Sequence, residues 1–129
     1  MASLPCMATS FDLDCPKEYP QDALQVPEVW MQWTPQKSNI VRLSGVSFYD
    51  SHPSQRMELA PSLGSDTKLS ATSTWLLNRP FANGKWFSCD YNNGTLGLAR
   101  QLPDAITKCT VKYAKEKAEK LVYRAAVCQ

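Results

Sequence analysis

Between Gly84 and Tyr113 the chain reads GKWFSCDYNNGTLGLARQLPDAITKCTVKY, three alternating segments joined by turn signals. In Lys85–Tyr91, Phe87, Cys89 and Tyr91 share one face, and Trp86, Ser88 and Asp90 share the other. Alternation at period two with aromatic residues predicts a half-buried strand. Asn92-Asn93-Gly94 supplies residues that tolerate positive φ, as a short hairpin turn requires. The next segment sets Leu96, Leu98, Arg100 and Leu102 against Thr95, Gly97, Ala99 and Gln101, and Pro103 stops it. After a short connection, Cys109, Val111 and Tyr113 face away from Lys108, Thr110 and Lys112. The expected unit is a three-stranded antiparallel meander.

Its two cysteines belong to a set of five, Cys6, Cys15, Cys89, Cys109 and Cys128, in 129 residues. A chain of this size suits one domain, burying roughly two-thirds of its unfolded surface. Cysteine usage of this kind points to disulfides and an oxidising compartment. No CxxC and no cysteine–histidine spacing occurs, and the single His52 has no cysteine near it in sequence. Neither a zinc site nor a catalytic thiol is expected, and no cofactor. The odd count leaves the pairing open. The expected bridges are Cys89–Cys109, pinning the first meander strand to the third, and Cys15–Cys128, with Cys6 free. An oxidising compartment calls for a signal peptide, and Met1-Ala2-Ser3 has no apolar core. The expectation is that this start lies just after the cleavage site, with the methionine added. Ser3-Leu4-Pro5-Cys6 is a poor lipoprotein signal because proline precedes the cysteine.

A net charge of +2 is too small to imply nucleic acid or an acidic membrane surface. The lysine-rich run from Lys108 to Arg124 is a local exception and reads as a solvated face. No apolar run is long enough to span a bilayer.

Residues 1–10 read as a flexible tail and 11–129 as one disulfide-stabilised, mainly β domain, a single antiparallel sheet or a sandwich-like meander. Phe11–Pro16 alternates as a short edge strand, and Pro16, Pro20 and Pro27 break up the irregular segment after it. Trp30 and Trp33 are anchors, either packing a loop on the core or gripping a partner. Asn39–Tyr49 predicts a strand bulged near Gly45, and Asp50–Ser54 a polar turn. Arg56–Leu59 is the expected returning strand, Ser62–Asp66 a loop, and Lys68–Leu77 a long strand. Ala114–Ala126 combines helix propensity with alternation. The preferred reading is a turn near 115–120 and a strand at 121–127, the alternative a short C-terminal helix.

Chemistry is sparse. Asp50 and His52 form the one carboxylate–imidazole pair close in sequence, but no GxSxG elbow, phosphate loop or dinucleotide fingerprint accompanies them. Enzymatic function is not expected, and a hydrolase using His52 is the competing idea. Trp86, Phe87 and Tyr91 sit on a sheet as in single-strand nucleic-acid binders, but no basic groove lies beside them. A rigid β body with polar loops suits an inhibitor or binding module.

The order Cys15-Pro16, VSFYDSHPSQRMELAPSL (Val46–Leu63), STWLL (Ser73–Leu77), KWFSCDYNNGTLGLARQLP (Lys85–Pro103) and CTVKY (Cys109–Tyr113) resembles a family of small exported proteobacterial proteins encoded in type VI secretion clusters. The resemblance covers roughly residues 11–128; Cys6 and the lysine-rich 114–120 depart from it. It implies a periplasmic immunity protein whose partner is a cognate secreted effector, expected to cleave peptidoglycan. The expected mechanism is steric, with Asp50, Ser51, His52, Asn92 and Asn93 as plug residues and Trp30 and Trp33 as anchors. An inhibitor of host lysozyme is the alternative.

Overall fold

The computed structural model describes residues 10–20, 41–117 and 120–129; Cys6, Trp30 and Trp33 lie outside them. The described residues form strands β1 (Phe11–Asp12), β2 (Leu43–Tyr49), β3 (Leu63–Asp66), β4 (Ser70–Leu76), β5 (Trp86–Tyr91), β6 (Leu96–Gln101), β7 (Lys108–Lys115) and β8 (Leu121–Cys128). One sheet has the order β1-β8-β7-β4-β3 and the other β2-β5-β6, with every pairing antiparallel. Alternation decides which side of each strand is buried. Phe48, Phe87 and Cys89 of the smaller sheet share one core with Trp75, Cys109 and Val111 of the larger. Phe48 meets Trp75 across the two sheets with ring centroids 4.7 Å apart.

The β5–β6 hairpin forms as its alternation predicts, with Trp86 opposite Gln101 and Tyr91 opposite Leu96. Asn92 and Asn93 adopt φ of 50° and 55°, and Gly94 comes next at 90°. Consecutive left-handed residues explain why asparagine and glycine stand there. Register also shifts between Leu43 and Gly45, where the bulge is expected.

The meander does not continue into β7. Leu102 donates its N–H to the Lys85 carbonyl, and the chain then crosses through Pro103–Thr107 to the larger sheet. There β7 lies between β4 and β8, with Cys109 and Val111 fully buried. A central position gives its apolar face neighbours on both sides, which the edge of a three-stranded sheet would not.

That crossing overturns the expected disulfides. Cys89 and Cys109 stand in different sheets, and the bridges are Cys15–Cys89 and Cys109–Cys128. Cys109 is directly opposite Cys128 in the β7–β8 register, while Cys15 continues from the β1 segment to the smaller sheet, 5.7 Å from Cys89 between Cα atoms. The Cys15–Cys89 separation is the usual one for a bridge.

Three further expectations change or resolve. Ser62–Asp66 contains strand β3 rather than being all loop, because its backbone takes the free edge of β4. Arg56–Leu59 is not a strand: a 3₁₀ turn at Pro53–Gln55 ends with Arg56 at φ 58°, and only a single bridge, Tyr49 to Glu58, remains. The C-terminus is strand β8 and not a helix, because its apolar face completes the core beside β7.

Candidate partner-binding site

Where β2 ends and β5 begins, Tyr49 lies opposite Trp86. Two loops rise from this end, Asp50–Met57 after β2 and Arg79–Gly84 before β5. They enclose an open groove of about 770 Å³ lined by Asp50, Ser51, His52, Arg79, Phe81 and Trp86 among others. Trp86 points away from Phe87 and the core, as alternation requires. Its indole N–H donates to the Asn83 carbonyl at 3.2 Å, and the His52 ring meets it edge-on with centroids 4.8 Å apart.

His52 is held from its own loop. Its Nδ1 accepts the Ser54 N–H at 3.1 Å and lies 2.8 Å from Ser54 Oγ, capping the 3₁₀ turn. Both contacts are local and exposed, the behaviour of a turn cap. A nucleophile–base pair would need a third group orienting the imidazole, and no hydrogen bond joins His52 to Asp50 among the described residues.

The opposite wall is braced from beneath. Lys85 is buried, and its ammonium donates to the carbonyls of Asp104 (3.0 Å) and Ile106. It also lies over the Phe81 ring, 5.5 Å from the centroid, as does the Arg79 guanidinium at 5.1 Å. Phe81 is therefore within reach of two cations. Met57 completes the lining with 54% of its surface exposed. Tryptophan and arginine together are the side chains that most often dominate protein recognition.

Of the expected contact residues, Asp50, Ser51 and His52 share this groove. Ser51 does not protrude: it is 6% exposed, and its Oγ is the one buried side-chain polar atom without a hydrogen-bond partner among the described residues. Asn92 and Asn93 are exposed but come directly after Tyr91, which pairs with Leu43 at the far end of β2. Six residues of strand separate that end from Tyr49, roughly 20 Å at the usual rise. The two loops cannot form one plug. Trp30 and Trp33 fall outside the described residues.

Trp86, Arg79 and Phe81 also line the groove and are not among the expected contact residues. The parity of Trp86 opposite Phe87 is a usable signal. Nothing in Arg79-Pro80-Phe81 announces the cations at the ring, since Lys85 arrives from the start of β5.

Further along β5 from the groove, Ser47, Ser88 and Asp90 form a polar cluster on the Trp86 side of the strand. The Ser47 hydroxyl donates to Asp90 Oδ2 at 2.8 Å. Burial pushes the Asp90 carboxyl above its ordinary range, and the hydroxyls of Ser47 and Ser88 pull it partly back. Among the described residues no group of histidine, cysteine and carboxylate side chains is arranged to hold a metal ion. No helix among them is long and apolar enough to cross a membrane.

Comparison with known proteins adds one match. The model of a family described as "Type VI secretion system Tli immunity protein" matches residues 36–129, which include both walls of the groove and three of the four bridged cysteines. No curated protein and no solved structure matches the chain.

Proposed function

Because the chain belongs to the Type VI secretion system Tli immunity protein family, we propose that it neutralises a cognate effector in the periplasm by covering that effector's catalytic cleft. Family membership supports an inhibitor that acts by binding and not by turnover. The groove between Asp50–Met57 and Arg79–Trp86 is the contact surface in this reading. The observation that carries it is the clustering of Trp86, Phe81 and Arg79 at one end of a sheet tethered by the Cys15–Cys89 bridge. Anchors held rigid before binding lose little conformational entropy on association. Two disulfides support an oxidising compartment and hence the periplasm. Peptidoglycan is the target expected of the effector.

The test is capture of bound protein from the producing bacterium under oxidising conditions, with mass-spectrometric identification. Recovery of a secreted hydrolase in near-equal amount supports the immunity reading, and its turnover of peptidoglycan against phospholipid names the bond it cuts. Trp86→Ala and Arg79→Ala should each weaken that complex. Unchanged affinity in both variants would move the contact surface elsewhere. Binding to added lysozyme alone would replace the reading with the host-defence inhibitor.

A further inference from the structure

The two bridges differ in how far solvent reaches them. Cys109 and Cys128 are fully buried. Trp75 stands directly opposite Cys109 and Phe11 directly opposite Cys128. Directly opposed residues of antiparallel strands share a side, so aromatic rings flank this bridge within the larger sheet. Cys89 is buried as well, in one core with Phe87 and Tyr91. Cys15 alone of the four bridged cysteines is part-exposed, and it lines an open cavity of about 470 Å³. Asp12 and Asp14 share that cavity with Lys17, Arg42 and Arg124, so opposed charges largely cancel around the bridge. Access, not charge, sets Cys15 apart.

Thiol–disulfide exchange begins when a thiolate reaches one sulfur of the bond, so its rate follows access to that sulfur. We propose that Cys15 is a modification site for small thiols of the glutathione class, and that Cys15–Cys89 exchanges in the folded protein while Cys109–Cys128 does not. The incoming thiolate bonds to Cys15 Sγ as the Cys15–Cys89 bond breaks. The electron pair leaves on Cys89 Sγ, which takes a proton from water because burial favours the neutral thiol. A second small thiolate then attacks the small thiol's own sulfur in the mixed disulfide. Cys15 departs as a thiolate, and two small thiols have been oxidised to one disulfide while the bridge is reduced to two thiols.

This exchange needs no unfolding. The chain is pinned on both sides of Cys15. Leu13 is buried and donates its N–H to the Ala126 carbonyl at 3.4 Å, and the Pro16 carbonyl accepts the Tyr91 hydroxyl at 2.6 Å. Leu43 also donates its N–H to the Lys17 carbonyl at 2.8 Å. Cys15 and Cys89 stay close together after the bond opens, so Cys89 can return to the mixed disulfide and expel the small thiol.

The test is incubation of the full chain carrying Cys6→Ser with reduced glutathione, in native buffer and in denaturant. The substitution removes the fifth cysteine as a competing thiol. Acid quenching, alkylation of free thiols and peptide mapping by mass spectrometry then locate each label. In native buffer, glutathione should appear on Cys15 and the alkyl group on Cys89 about tenfold or more faster than any label on Cys109 or Cys128. In denaturant the two bridges should react at similar rates, because the fold no longer limits access. Native labelling of Cys109 and Cys128 first, or at the same rate, overturns the proposal. So does glutathione on Cys89, the absence of any native reaction, or a tenfold preference for Cys15 that persists in denaturant.

Discussion

At the scale of single residues, the groove and the polar cluster further along β5 respond to different forces. Trp86 contributes area and a fixed ring, so Trp86→Ala should cost the effector complex about 2 kcal/mol or more, read by calorimetric titration, while the melting temperature moves little. His52→Ala removes a turn cap and one edge of that ring; binding should weaken modestly, and no turnover should be lost, because none is expected. A hydrolytic activity that disappears with His52 would overturn this. Asp90 is an electrostatic case. Its carboxyl is harder to ionise in the fold than in the unfolded chain, so ionisation costs stability above its folded pKa, and the cost vanishes below the ordinary value of 3.8. Asp90→Asn should accordingly raise the melting temperature near pH 7, and the gain should shrink as pH falls towards 3.8. A gain that persists at low pH would show that packing, not charge, is responsible. Gly84 sits at φ +83° with its missing Cβ aimed at the Gln101 amide and the Trp86 indole. Gly84→Ala should therefore cost about 1–2 kcal/mol in denaturant titration and displace the groove wall with it.

At the scale of elements, the two bridges differ in how much chain they close. Cys15–Cys89 spans 74 residues and Cys109–Cys128 only 19. Loop entropy then assigns about 4–5 kcal/mol to the first and about 3 kcal/mol to the second. Paired serine substitutions should rank in that order by chemical denaturation; the reverse order would mean that the β7–β8 bridge contributes through its packing. The strands themselves were legible one at a time. Phe87, Cys89 and Tyr91 show an inward face, and Asn92-Asn93-Gly94 shows the turn, because both signals are local. Alternation has no memory of which sheet a strand enters, however. Val111 needs a buried face, and β7 finds it between β4 and β8 after a connection that could equally have closed a hairpin. Misplacing β7 carried the disulfides with it, since Cys109 moves with its strand. β3 escaped for a related reason: Leu63-Gly64-Ser65-Asp66 has four exposed residues and no apolar face to reveal it.

At the scale of the whole molecule, one end of the smaller sheet carries the groove, built by loops that bring Lys85 and Arg79 to the Phe81 ring. It was not legible as a surface, because it assembles residues distant in sequence, such as His52 with Trp86. The Cys15–Cys89 bridge has a consequence for how such a chain matures. If it crosses a membrane with its N-terminus leading, Cys6 and Cys15 emerge long before Cys89. An oxidase acting in order of emergence would join those two first, and the bond that the fold requires could form only after a disulfide isomerase undid it. Productive maturation would then depend on reshuffling. Cys6→Ser should shorten it, a gain readable as faster appearance of the native bridge in the presence of oxidase alone.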